Sequence, residues 1–164
     1  MHRYASDPEV VKYMPWGPNS EEDTHDFLQK RLTEQAASPR VNYSVAITLK
    51  EDGTLIGGCD LTRRNSEVSE AALGYCLHKD YWGRGIASEA AGALLKCGFE
   101  ELKLHRIIAT CDPENLASRR VLEKNGLRLE GHFKENILMR GIWRDSLSYA
   151  ILDNEWNKRQ YTDS

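Results

Sequence analysis

Apolar and polar positions recur with two different periods along this chain, and the changes of period divide it into elements. Ser6-Asp7-Pro8-Glu9 reads as a helix start with proline in its first turn, followed by Val10, Val11 and Tyr13. Pro15, Gly17 and Pro18 break that helix. Asn19 or Ser20 then caps a second helix with an acidic first turn (Glu21, Glu22, Asp23) and an apolar stripe of Phe27, Leu28, Leu32 and Ala36, ended by Ser38-Pro39. Residues 43–49 have strand composition, Glu51-Asp52-Gly53 is a hairpin turn, and 55–61 return as a second strand. A third strand spans 68–77, which predicts an antiparallel meander.

From Ile86 the period becomes helical. Ile86, Ala90, Leu94, Cys97 and Gly98 share one face of a helix over 86–102, with small residues where it must lie close to a sheet. Residues 106–111 are short and nearly all apolar, as a buried parallel strand requires. Strand, helix and strand from 68 to 111 therefore form one βαβ unit with a right-handed crossover. A helix over 116–124 stops at Asn125-Gly126, and strands over 127–133 and 143–152 complete the pattern. With no internal repeat, low-complexity tract or linker, the expectation is a single mixed α/β domain over 1–164.

Composition narrows the function classes. The chain has 164 residues, enough for one core, and a formal net charge of -3 that offers no electrostatic footing for nucleic acid or a membrane surface. No apolar run is long enough to span a bilayer, and Met1 to Asp7 lacks the apolar stretch of a secretory signal, so a cytoplasmic protein is expected. Cys59, Cys76, Cys97 and Cys111 sit in apolar stretches without C-x-x-C spacing and read as buried thiols. The five histidines do not cluster with them, so no metal site is expected.

The junction Leu77-His78-Lys79-Asp80-Tyr81-Trp82-Gly83-Arg84-Gly85-Ile86-Ala87-Ser88 carries the chemistry. Two glycines one residue apart allow a tight turn and close approach of the backbone to a ligand. The helix that follows presents unpaired N–H groups and a positive dipole end, together an anion site. Small Ala87 and Ser88 leave room for a phosphate, and Arg84 adds a charge. A plain glycine turn before a helix reads the same way in isolation. The loop has neither the Lys-Ser/Thr of a P-loop nor the length and acidic partner of a Rossmann fingerprint.

Trp82-Gly83-Arg84-Gly85-Ile86-Ala87 resembles motif A of the GNAT superfamily of N-acetyltransferases, with Trp in place of the usual Gln or Arg at the first position. Residues 105–127 are similar to the family's motif B. The spacing of Asn115, Ser118, Val121-Leu122-Glu123-Lys124 and Gly126, followed by Glu130-Gly131, resembles its RimJ/RimL branch. The resemblance implies acetyl-CoA as cofactor and direct transfer of acetyl to a primary amine, on a protein N-terminus or a small molecule, by a monomer or homodimer. The alternative is a non-catalytic CoA-binding module on the same fold. It also implies a GNAT-like sheet whose central parallel strands splay to admit the pantetheine arm. Family members begin with an extra strand, whereas this chain begins with helix-like sequence, so either that first strand is missing or the sequence starts after it.

Further roles follow from the resemblance. The backbone of Cys76, Leu77 and His78 would bind pantetheine as an added strand would, and the loop Trp82 to Ser88 would take the pyrophosphate. Asn115 is either a cofactor contact or a helix cap. The tyrosine that many members carry seven residues after this Asn is Leu122 here. Ser118 would stabilise the departing thiolate, or is simply a helix serine. Glu70 is the first candidate for the base, with a solvent-facing strand residue as the other reading. Arg119, Arg120 and Lys124 either reach CoA phosphates or form a solvated helix face. Tyr13, Trp16 and the 13–24 segment are expected to wall the acceptor site.

Overall fold

The computed structural model describes residues 1–65 and 67–162. Six strands form one mixed sheet in the order β1-β2-β3-β4-β6-β5. Strands β1 (Asn42–Thr48), β2 (Leu55–Asn65) and β3 (Glu70–Leu77) are the antiparallel meander. Helix α3 (Ile86–Lys96) crosses to β4 (Arg106–Cys111), which lies parallel to β3. Helix α4 (Leu116–Lys124) leads into β5 (Arg128–Met139) and β6 (Ile142–Leu152), and β6 inserts beside β4.

The parallel pairing is short. Only Glu70, Ala71 and Ala72 pair with Arg106, Ile107 and Ile108, although β3 continues to Leu77 and β4 to Cys111. The two strands therefore part halfway along, as expected, and leave unpaired edges facing one another at their C-terminal ends.

Helices α3 and α4 cover one face of the sheet. Alternation delivers Leu61, Leu73, Ile107, Tyr149 and Ile151 to that face, where they pack with Leu95, Phe99 and Leu122. The approach is close: a Cβ on Gly98 would lie 2.7 Å from Ile107 Cδ1, so glycine is needed there. A smaller cluster of Tyr4, Ala5, Val10 and Val11 packs with Cys76 on the other face.

Several elements differ from expectation. The first helix is α1 (His2–Ala5), and residues 8–13 are successive turns. The Asp7 carboxylate accepts the Glu9 N–H at 2.9 Å, a local bond that competes with helix and leaves Val10 and Val11 free to turn into the core. Ser20, not Asn19, caps α2 (Glu21–Ala36), through a reciprocal box with Asp23. The α2 stripe is not core: Phe27, Leu28 and Leu32 are exposed, and Thr24 is the helix's buried residue. The third strand begins at Glu70 rather than Val68. The helix predicted over 86–102 leaves α geometry at Lys96 and continues as a wider π turn over Cys97–Glu101. The last hairpin is longer than predicted because β5 runs to Met139, and α5 (Asp153–Thr162) follows it. Two irregularities, at Leu129/Gly131 and Phe133/Ile137, let that hairpin bend. Among the described residues β1 is one edge of the sheet. Cys59 and Cys111 are buried thiols, but Cys76 and Cys97 are half-buried.

Candidate active site

The junction after β3 is held by bonds between near neighbours. His78 Nδ1 accepts the Asp80 N–H and starts a single 3₁₀ turn over Lys79–Tyr81. The Trp82 indole N–H donates to the Leu77 carbonyl at 2.8 Å and closes the loop on its own base. Arg84 lies over the Tyr81 ring. Lys79 pairs with Asp7 at 2.8 Å and with Glu9 at 3.3 Å, tying the loop to the N-terminal segment. Trp82 thus has a structural role that the family pattern, which lacks Trp there, did not suggest.

Gly83 and Gly85 have φ of 73° and 80°, conformations that disfavour any side chain. Nothing lies within 4 Å of a Cβ placed on either, so the loop encloses open space. Gly85 is the N-cap of α3 and offers no side chain to its amides. The first intrahelical bond runs from the Glu89 N–H to the Gly85 carbonyl. The amides of Ile86, Ala87 and Ser88 therefore point out of the helix end toward that space, at the positive end of the dipole. These residues fit a pyrophosphate.

The edge of β3 that faces the gap differs from expectation in one respect. The His78 N–H donates to the Ile56 carbonyl at 2.7 Å, so His78 turns its backbone to β2. Antiparallel alternation gives Cys76 the same direction and directs Leu77, Tyr75 and Leu73 to the gap. Of the three residues expected to meet pantetheine, only Leu77 faces the gap, and Tyr75 joins it. Every second residue of a strand shares a direction, so a run of three consecutive residues cannot serve one edge.

Across the gap, Asn115 caps α4: its Oδ1 accepts the Ser118 N–H at 3.1 Å. The cap reading of Asn115 is therefore correct, and the same bond fixes the first turn in which Ser118 sits. Ser118 Oγ lies 2.8 Å from Tyr75 Oη, which also reaches the Ser118 carbonyl at 3.2 Å. Ser118 is within hydrogen-bond reach of the Cys111 thiol at the end of β4. Burial pushes that thiol up to about 11 and the Cys76 thiol up to about 12, so neither is a ready nucleophile.

Glu70 is not brought to this place. It stands at the opposite end of β3, beside the paired segment, and accepts from Arg106 Nε at 3.0 Å. Arg106 also pairs with Glu130, which pairs with Arg128. A carboxylate in that network is an ion-pair partner, and it stands two residues before the point where β3 and β4 part. Arg120 is exposed on α4, which both readings allow.

The mouth of the gap is built by long-range contacts that the sequence pattern missed. Arg144 Nη2 reaches Asp112 at 2.6 Å and Glu114 at 2.8 Å, bracing the loop between β4 and α4. The Tyr13 hydroxyl approaches the Glu114 carbonyl at 3.5 Å, which places Tyr13 beside this loop. Arg140, at the turn of the β5–β6 hairpin, donates to the carbonyls of Val11, Trp16 and Gly17 at 3.1, 3.1 and 2.9 Å. The Met139-Arg140-Gly141 turn was the available signal, but nothing in it names a partner 123 residues away.

Comparison with known proteins agrees with this geometry. Residues 1–128 match the family model described as an acetyltransferase (GNAT) domain. The uncharacterized N-acetyltransferase YnaD of Bacillus subtilis is 40% identical over 157 residues, covering 96% of this chain and 88% of that protein. A GNAT-family acetyltransferase structure from Bacillus anthracis superposes with a TM-score of 0.82 at 42% identity, over 94% of this chain and 87% of the other. Mycobacterium smegmatis RimJ in complex with CoA-disulfide superposes with a TM-score of 0.81 at 29% identity, over 94% and 75%.

Proposed function

The chain belongs to the GNAT acetyltransferase family and is an acetyl-CoA-dependent N-acetyltransferase, and on that premise we propose how its residues divide the reaction. The loop Trp82 to Ser88 holds the pyrophosphate through the Gly83–Gly85 backbone and the α3 amides. The Leu77 and Tyr75 backbone edge holds the pantetheine in the gap, which leads the thioester to Ser118. A neutral primary amine enters past Tyr13 and Glu114 and attacks the thioester carbonyl. As the tetrahedral intermediate collapses, the C–S bond breaks and Ser118 donates a hydrogen bond to the departing thiolate. The proton shed by the amine nitrogen leaves through water and finally neutralises the thiolate, giving the free thiol.

The observation that carries this reading is the placement of Ser118. It is held by Asn115 and Tyr75 on the rim of the gap, where a thioester threaded along β3 ends. Glu70 has no part in it, because its carboxylate is committed to Arg106. The acceptor is a protein α-amine or a small-molecule primary amine, admitted by the mouth between the N-terminal segment and the hairpin. Thiol release from acetyl-CoA over a panel of N-terminal peptides, polyamines and aminoglycosides tests it. S118A is expected to lower kcat on the best amine by about tenfold to a hundredfold and leave acetyl-CoA affinity nearly unchanged. Equal rates in S118A and the natural chain would remove Ser118 from the chemistry.

A further inference from the structure

We infer that Tyr75 is a positioning residue for the transfer step: its hydroxyl donates to Ser118 Oγ and thereby turns the serine hydrogen into the gap. The inference rests on Ser118 acting at the sulfur. Ser118 has one hydrogen and several places to send it. A serine in a first helical turn readily donates to a carbonyl one turn back, and the Cys111 thiol is a second neighbour. In either case the hydrogen is turned away from a departing thiolate.

Tyr75 removes that freedom. Its Oη lies 2.8 Å from Ser118 Oγ, a contact in which either hydroxyl can donate, and 3.2 Å from the Ser118 carbonyl, which competes for the single phenol hydrogen across the same sequence separation of 43; the Oγ contact is the shorter of the two. When the phenol donates to Oγ, it fills a serine lone pair and leaves the serine hydrogen to find another acceptor. Sulfur arriving along the gap is that acceptor, and negative charge building on it strengthens the bond in the transition state. No net proton moves: the phenol and the serine each keep their own, and the thiolate takes the proton that came from the amine. Burial holds the Tyr75 phenol well above the usual tyrosine range, so it stays a donor at every working pH. The titratable groups beside it are the thiols Cys59 and Cys111, both neutral for the same reason.

The placement has a backbone reason. Tyr75 lies three residues past the last β3–β4 pair, on the face covered by α4. Before the strands part, a tyrosine on β3 would meet β4; after they part, the ring spans the space and reaches the first turn of α4. The same residue turns its main chain to the gap, so one position lines the cofactor channel and orients the catalytic serine.

The experiment compares Y75F, S118A and the double variant in steady state, with acetyl-CoA and the best amine from the panel. Y75F is expected to lower kcat about tenfold and to leave the acetyl-CoA KM, and the thermal shift on adding acetyl-CoA, within about twofold of the natural chain. The double variant should be no slower than S118A, because Tyr75 works only through Ser118. Wild-type kcat in Y75F alongside an impaired S118A overturns the inference and leaves the Ser118 reading standing. Multiplying losses also overturn it. Wild-type kcat in S118A defeats the Ser118 reading itself. Replacement of Tyr75 by difluorotyrosine is near-isosteric and needs no folding allowance. Its more acidic phenol should introduce an alkaline fall of kcat that the natural chain, whose phenol stays protonated, does not show, and an unchanged profile overturns the inference.

Discussion

The cofactor loop and the acceptor mouth share one end of the sheet, yet they are held in opposite ways. The loop takes its shape from bonds that span a few residues: Trp82 to Leu77, Asp80 to His78, Glu89 to Gly85. Its ligand-facing groups are main-chain amides, so many side-chain substitutions leave it able to bind. The mouth is assembled by side chains that bridge 101 to 129 residues, with Tyr13 on Glu114 and Arg140 on Val11. A cofactor common to a whole family suits the first construction. An acceptor that differs between relatives suits the second, where changing one arginine or tyrosine remakes the surface.

The sharpest way to break this comparison is to fill the loop. In G85D the carboxylate would meet the pyrophosphate, on a residue whose φ of 80° already disfavours a side chain. Calorimetry should detect no acetyl-CoA binding at high micromolar concentration, and unimpaired affinity would take the backbone out of the argument. The mouth should respond differently. R140A removes the donor to five carbonyls of the N-terminal segment, those of Val11, Lys12, Met14, Trp16 and Gly17, at a cost of about 1 kcal/mol, or about 2–4 °C in Tm. Its KM for the amine should rise severalfold while the KM for acetyl-CoA holds. A matching rise in both would mean that the hairpin turn supports the whole site and that the two regions are not separable.

The smallest effect is set by pH. The Glu135 N–H, then Lys134 and His132, hold the Asp145 carboxyl well below the usual aspartate range, on the same hairpin. Because the folded value is the lower one, this contribution is fully present above the unfolded aspartate value of about 3.9. It is lost as pH falls through the folded value. The Tm advantage of the natural chain over D145N should therefore be flat from pH 7 to pH 5 and shrink below pH 4. An advantage that grows on acidification would reverse the sign and exclude the carboxylate as its source.

Legibility in the sequence follows the same division. The glycine loop, the Asn115 cap, the meander and the parallel pair were readable, because each depends on residue type within a short window. The Tyr75–Ser118 contact was not, although Tyr75 lay in a strand that was readable and Ser118 in the segment similar to motif B. Nothing local says that β3 and β4 part after Ala72 and so bring the two hydroxyls together. Glu70 shows the converse: strand membership was correct, but the end of the strand on which it stands decides its chemistry, and Arg106 claims it there. The α2 stripe misled because periodicity reports that a face is apolar, not that another element covers it.

The sequence by itself determined the cofactor and the reaction class. A phosphate-binding turn needs only glycines at two φ-positive positions one residue apart and a helix after them, and both are local properties of the chain. The tertiary structure alone decided which side chains meet around the gap. Ser118 is oriented by a strand 43 residues away, and Arg140 closes the mouth across 123. A hydrogen bond depends on distances between atoms that only the packed sheet brings within reach.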